Sequence, residues 1–343
     1  MNPRTVTFGE IMLRLSPPGF ERLFQSPVLS ATFGGGEANV AASLAHFGLE
    51  SHYVTRLPTH AVGEAALRAL RAEGVRTEHV VRGGSRVGIY FAETGASQRA
   101  STVVYDRAHS AISEMPASAV DWDRVMAGAA WFHVTGITPA LGDAAAAATK
   151  AAVEAARRAG ARVSVDLNYR KKLWSEAQAQ AVMRPLMAAV DVVIANEEDL
   201  QSVLGVTVSG ADVTTGTLDA GAYREAADWV TANLGPSLVA ITLRESRSAS
   251  DNGWSALLWD GQGKTVHQSQ RYDVRLVDRI GGGDSFAAGL IYALVTGRGH
   301  DEALRFAVAA SALKQTIPGD FNRVSVAEVD ALAKGDASGR VQR

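Results

Sequence analysis

A chain of 343 residues exceeds the usual prior of about 150 residues per domain, although α/β folds often run to this length as one unit. Hydrophobic residues make up 47% and charged residues 20%, which supplies a large core, and 34 Lys and Arg against 36 Asp and Glu leave a net charge of −2. That balance offers no broad positive field to nucleic acid or anionic lipid, and the absence of cysteine excludes disulfides, thiolate metal ligands and thiol catalysis. The opening MNPRTVTFGEIMLRL has no basic head joined to an apolar run, and the uncharged stretch 125–142 is broken by His133, Thr135, Thr138 and Pro139. Neither a secretory leader nor a membrane span is expected, and a reducing, cytoplasmic setting is.

In chain order, two segments fall outside any α/β rhythm. Met12–Phe33 carries Pro17, Pro18, Gly19 and Pro27, and Val87–Tyr105 alternates as an antiparallel strand pair around Gly95. Together they predict a small β lid, about 12–33 and 87–105. From mid-chain, alanine-rich helical patterns alternate with short β-branched runs, the pattern of βαβ units around a parallel sheet. Helix is predicted over Asp143–Ala159, stopped by Gly160, then strand over Ala161–Asp166, helix over Ser175–Val190 with Ser175 as N-cap, and strand over Asp191–Ala195. There follow helix Tyr223–Leu234, strands Leu238–Leu243 and Trp254–Trp259, and helices Asp284–Thr296 and Asp301–Lys314. With no repeat, low-complexity tail or long linker, residues 1–343 are expected to form one domain plus its lid.

The stretch most informative about chemistry is DRIGGGDSFAAGL, where Gly281, Gly282 and Gly283 precede Asp284 at the start of an apolar helix. Glycines let backbone N–H groups approach an anion that a Cβ would repel, and the helix N-terminus adds a favourable dipole. An acid in a first helical turn can serve only to complement that dipole. Behind a cradle for a transferring phosphoryl group, however, Asp284 is also placed to accept a hydroxyl proton as the oxygen attacks.

Asp278–Asp284, reading DRIGGGD, resembles the C-terminal signature of the PfkB sugar-kinase family, an Asp, two variable residues and a glycine-rich turn ending in the catalytic Asp. Gly34–Ala42, reading GGGEANVAA, resembles the same family's N-terminal di-glycine signature. The resemblance implies a ribokinase-like three-layer α/β/α sandwich with a mainly parallel central sheet and a β lid that closes over the sugar, and it implies ATP as donor. Gly34, Gly35 and Gly36 then let a sugar hydroxyl lie against backbone, and Asn39 can offer its amide to another. These glycines could equally be a tight strand-to-helix turn.

Within the family, VVYDRAHSA around Tyr105, DLNYRKKLW from Asp166 and LKQTIPGDFN near the C-terminus look like 2-keto-3-deoxygluconate kinase. That resemblance places Tyr90, Tyr105, Arg107 and Arg170 on the substrate, and a sugar acid explains two guanidinium groups where a neutral sugar would not. The family's Asn-x-x-Glu motif, which organises Mg²⁺, reads NEED here: Asp199 stands at the usual Glu, Glu198 is the alternative metal contact, and a plain N-cap with an acidic first turn is the competing account. Asn168, Asn196, Ser246 and Arg247, with Gly281 and Gly283, are the nucleotide candidates, although ITLRESRSASDNGW departs from the family's glycine-containing strand end. The expected partners are a small sugar acid and ATP, with a second copy of the chain docking through the lid, as family lids commonly do. Competing functions are a kinase for a neutral sugar or nucleoside and a non-catalytic sugar or nucleotide sensor. A Rossmann dehydrogenase is disfavoured because no GxGxxG follows the first strand.

Overall fold

The computed structural model describes residues 2–196, 198–206 and 220–336. Its principal sheet runs, edge to edge, through Thr265–Gln268, Asp251–Asp260, Leu238–Ser246, Val192–Ala195, Arg162–Asp166, Trp131–Thr135, Arg4–Phe8 and Glu50–Val54, and Tyr272–Arg275 also pairs along Asp251–Asp260. From Glu50–Val54 to Leu238–Ser246 every neighbouring pair is parallel, and only Asp251–Asp260 runs against its partners.

Buried strands alternate their side chains between the two faces. Val193, Ala195, Val239 and Ile241 point into a core shared with Asp143–Arg158, Glu176–Leu186 and Ala220–Leu234. Val192, Ile194, Leu238 and Ala240 point into the opposite core, against Gly282–Val295 and His300–Lys314. This is the three-layer α/β/α sandwich with helices on both faces of a mainly parallel sheet.

Most element boundaries lie within a few residues of those predicted, and two differences are informative. The helix capped by Ser175 stops at Leu186 rather than Val190: Pro185 removes one backbone donor, the chain tightens into a short 3₁₀ turn at Met187–Ala189, and Asp191 accepts from Val163 N–H at the head of the next strand. The strands predicted as Leu238–Leu243 and Trp254–Trp259 are the middle of a longer hairpin, in register from Leu238 opposite Asp260 to Ser246 opposite Asn252.

A second sheet of four strands, in the order Ser30–Gly34, Met12–Ser16, Ile89–Glu93 and Thr102–Asp106, is built from the two segments that broke the rhythm. Its central pair is parallel and its outer pairs antiparallel, with Tyr90 directly opposite Tyr105. The excursion between its first two strands is tied back where Glu93 accepts from Leu23 N–H.

Candidate active site

Strand ends in a parallel sheet converge on one side, where ligand crevices form. Here Phe8, Thr135, Asp166, Ala195 and Thr242 mark that side, and the second sheet stands over it. Between them lies a cleft of about 480 Å³. Gly281 enters it with φ of +83°, a left-handed conformation that favours glycine, and a Cβ there would fall 2.2 Å from the Asp320 carbonyl oxygen. A Cβ on Gly283, by contrast, would meet nothing within 4 Å, so the turn leaves open space above the helix start.

Asp284 follows in the first turn of Gly282–Val295, partly exposed to the cleft. Its Oδ2 accepts from Asn39 Nδ2 at 2.6 Å, and Asn39 Oδ1 accepts from Gly35 N–H at 3.2 Å. The two glycine motifs, 245 residues apart, are therefore joined by one amide that holds the carboxylate's orientation. Burial pushes Asp284 up to about 6, opposed by that hydrogen bond and by the charges of Arg170 and Lys314.

Beside it, burial together with the charges of Asp199 and Asp284 raises Asp166 well above the usual carboxylate range. Burial also raises Asp199, although it accepts from the N–H groups of Tyr169 and Asn196. Asn168, between these acids, sits at φ of +39°. These carboxylates share unfavourable charge that a cation would relieve, yet they do not close into a three-ligand cluster. That donor set fits Mg²⁺ held through its own waters and phosphate oxygens, as a small hard cation prefers.

Of the other residues singled out from sequence, Gly35, Gly36, Tyr90, Tyr105, Arg107, Arg170, Asn196 and Glu198 line the cleft. Several are already engaged. Arg107 donates from Nε and one amino group to Glu10 Oε2, and Tyr90 donates its hydroxyl to Asp320 Oδ2 at 2.5 Å. Asn196 Oδ1 accepts from the N–H groups of Glu198 and Asp199, so its side chain is already held by the backbone that leads into the helix Asp199–Leu204. Arg170 is exposed at the mouth and spends one amino group on the Tyr169 carbonyl.

Three expectations are corrected. Gly34 does not line the cleft: a Cβ there would lie 2.1 Å from Asp320 Oδ2, so this glycine makes room for a neighbouring wall. Ser246 and Arg247 are also outside it, because the long hairpin carries them past the opening, where Arg247 pairs with Asp273 at 2.9 Å.

In their place the same hairpin supplies Arg244, Asn252 and Trp254, which line the cleft with Arg279. Asn252 is 2% exposed with both side-chain polar atoms unpaired, and the Trp254 indole N–H and Arg279 Nε–H are likewise buried without partners. No acid among the described residues lies within ion-pair distance of Arg244 or Arg279, and burial, then the nearby Arg244, disfavours the charge on Arg279. Unsatisfied donors beside two unpaired guanidiniums are prepared for an anionic ligand. Arg279 was visible inside DRIGGGD, whereas Arg244 carried no signal.

Glu37 was also passed over, although it sits inside the first glycine motif. Fully buried, it accepts from Thr135 N–H and from the hydroxyls of Thr135 and Thr138, anchoring the helix Gly36–His46 to the strand end, and burial raises it to about 7.

A sandwich of this topology with a glycine-cradled aspartate in its cleft defines a carbohydrate kinase, and the chain belongs to the pfkB family of carbohydrate kinases, whose model matches residues 2–323. It is similar to the crystal structure of 2-dehydro-3-deoxygluconokinase from Thermotoga maritima, 50% identical, with TM-score 0.93 over 97% of this chain and 100% of that one. Among curated relatives, 2-dehydro-3-deoxygalactonokinase of Haloferax volcanii is 32% identical over 99% of each chain, and 2-dehydro-3-deoxygluconokinase of Bacillus subtilis is 28% identical over 94% of this chain and 93% of its own. Among the described residues no helix is long and apolar enough to cross a membrane.

Proposed function

We propose that the protein transfers the γ-phosphoryl group of ATP to the terminal hydroxyl of 2-keto-3-deoxygluconate, giving the 6-phosphate, in the cytoplasm. The observation that carries this is Asp284, held by Asn39 beside the Gly281–Gly283 turn, in a cleft that Arg107, Arg170, Arg244 and Arg279 also line. At the lid end, Tyr90 and Tyr105 flank the sugar while Arg170 and the remaining amino group of Arg107 grip its carboxylate. At the far end, Arg244, Asn252 and Arg279 take the triphosphate, with Asn168 and Asn196 nearer the transferring group.

The Asp284 carboxylate accepts the hydroxyl proton as that oxygen attacks phosphorus, and the N–H groups of the glycine turn stabilise charge on the equatorial oxygens. Asp199 with Glu198 and Asp166 would hold Mg²⁺ through water, and the ion when bound neutralises charge on the phosphates. The lid excludes water that would otherwise take the phosphoryl group. Its strands and the preceding loop expose Phe24, Val28, Val104 and Tyr105, which favours docking of a second copy there.

The test is ADP release from Mg·ATP with 2-keto-3-deoxygluconate, its galactonate epimer, ribose, fructose and gluconate. Turnover confined to the keto-deoxy acids supports the reading. Turnover with a neutral sugar moves the substrate, and ADP release with none of them points to a sensor. Losing one charge-assisted contact is worth about 1.5–3 kcal/mol, so Arg170→Ala raises KM for the sugar acid roughly ten- to hundredfold and leaves KM for ATP nearly unchanged. Arg279→Ala gives the opposite pattern, and equal effects of both on one substrate would defeat the assignment of the two ends.

A further inference from the structure

Lys314 is fully buried at the end of helix His300–Lys314, where lysine is almost never found unless its charge is met. No carboxylate among the described residues lies within ion-pair distance of its Nζ. Its three N–H groups instead meet three backbone carbonyls, those of Asp278 at 3.2 Å, Ile317 at 3.4 Å and Gly319 at 2.6 Å. These carbonyls belong to two separate segments. Asp278 opens the DRIGGGD turn, and 317–319 leads into Asp320, whose own carbonyl abuts Gly281. The side chain runs along the same contact, since a Cβ on Gly281 would lie 3.2 Å from Lys314 Cε.

Other bonds between the segments involve the Asp278 carboxylate, which accepts from Gly319 N–H, and the Gln315 carbonyl, which accepts from Val277 and Asp278 N–H. Arg14 also bridges the two segments, but through the Asp278 and Asp320 carboxylates, and among the described residues Lys314 is the cation that meets the converging carbonyls. Converging carbonyl oxygens are the ligand set that otherwise recruits a small monovalent cation.

We propose that Lys314 is a positioning residue for the phosphoryl-binding turn: its ammonium is a tethered monovalent cation that clamps the Asp278 and Gly319 segments together and so fixes Gly281–Gly283 above Asp284. The chain then has no need of a free monovalent ion at this point. Burial and the nearby Arg14 disfavour the charge on Lys314, while Asp278, Asp320 and Asp284 favour it, and Lys314 in turn favours the ionised form of Asp284.

The experiment compares wild type with Lys314→Ala, which leaves a space the size of an ion, and Lys314→Met, which fills it with an apolar chain. Turnover and melting are measured in tetramethylammonium, sodium, potassium and ammonium chloride at constant ionic strength. Wild type is expected to respond equally to all four. In tetramethylammonium, Lys314→Ala loses kcat about 100-fold, as for a misplaced reacting group, with smaller changes in KM, and the acid limb of its pH profile moves to higher pH. Potassium or ammonium restores part of that kcat and raises the melting temperature of Lys314→Ala, but not of Lys314→Met.

A folded Lys314→Ala with near wild-type kcat, a Lys314→Ala whose rate and melting ignore every cation, or a wild type activated by potassium would each overturn the proposal. If Lys314→Ala folds only when potassium or ammonium is added, that recovery is the same positive result. The kinetic arm rests on the kinase reading above. An inactive wild type would sink that reading, while the melting comparison would still decide the role of Lys314.

Discussion

Replacing Asp284 by Asn is expected to remove turnover and stabilise the fold. The amide is isosteric and can present its oxygen to Asn39 Nδ2, so the orienting bond between the glycine motifs survives. What is lost is the proton acceptor, and general-base removal costs about 10²- to 10⁴-fold in kcat. What is gained follows from burial, which moves this acid from 3.8 to about 6. An acid whose folded pKa lies above its unfolded value contributes stability that is fully present below the unfolded pKa and lost as pH rises through the folded one. The window is therefore pH 3.8 to about 6. At one pH unit per 1.36 kcal/mol, and allowing for partial exposure, the ionised group costs about 1–3 kcal/mol at neutral pH.

Two readouts check this. The wild-type kcat/KM should fall with a single-proton slope below about pH 6, as the base becomes protonated. The melting temperature of Asp284→Asn should exceed wild type at pH 7.5, with the gap closing as pH falls below about 6 and vanishing only below 3.8. Glu37, raised to about 7, tilts the wild-type curve in the same direction, so the difference between the two proteins isolates Asp284. A variant that melts below wild type at pH 7.5, or keeps most of its turnover, would separate Asp284 from the role of buried base.

What the sequence made legible was local. ARVSVD and DVVIA are β-branched runs bounded by breakers, and burial on both faces of the sheet needs no more than that pattern. The two glycine motifs could be found because cradling an anion constrains residue type at adjacent positions. The pairing between them could not, because the Asn39–Asp284 bond spans a sequence separation over which no pattern operates.

The part of the cleft lined by the long hairpin was misread for a related reason. Where a strand leaves a sheet fixes which residue faces the cleft, and the hairpin from Leu238 to Asp260 keeps its register two residues past Arg244. Ser246 and Arg247 look like a loop only if the strand ends at Leu243. Arg107 was found, but its partner was not: Glu10 is buried, one oxygen is held by Arg107 and the other has no hydrogen-bond partner, and nothing in FGEIM announces an acid under the lid.

Arg14 provides the second large expected effect. It is the charged residue of strand Met12–Ser16 and shares a face with the buried Met12; it is 5% exposed and lies between Asp278 at 2.7 Å and Asp320 at 2.7 Å. Asp320 also accepts from Tyr90 in the neighbouring lid strand, so this one carboxylate ties both central lid strands to the loop beside Gly281. The two acids hold the guanidinium firmly charged against the penalty of its burial.

Deleting one member of a buried ion network strands the others, and the expected cost of Arg14→Met is about 3–5 kcal/mol in denaturant unfolding at pH 7.5. Adding Asp278→Asn and Asp320→Asn to Arg14→Met removes the stranded charges and should recover much of the loss, which separates charge from packing. Because Tyr90 and Asp320 line the cleft, Arg14→Met should also raise KM for the sugar acid more than KM for ATP. An Arg14→Met protein as stable as wild type at pH 7.5, or a triple variant no better than the single one, would mean that apolar packing rather than this network fastens the lid to the Gly281–Gly283 turn.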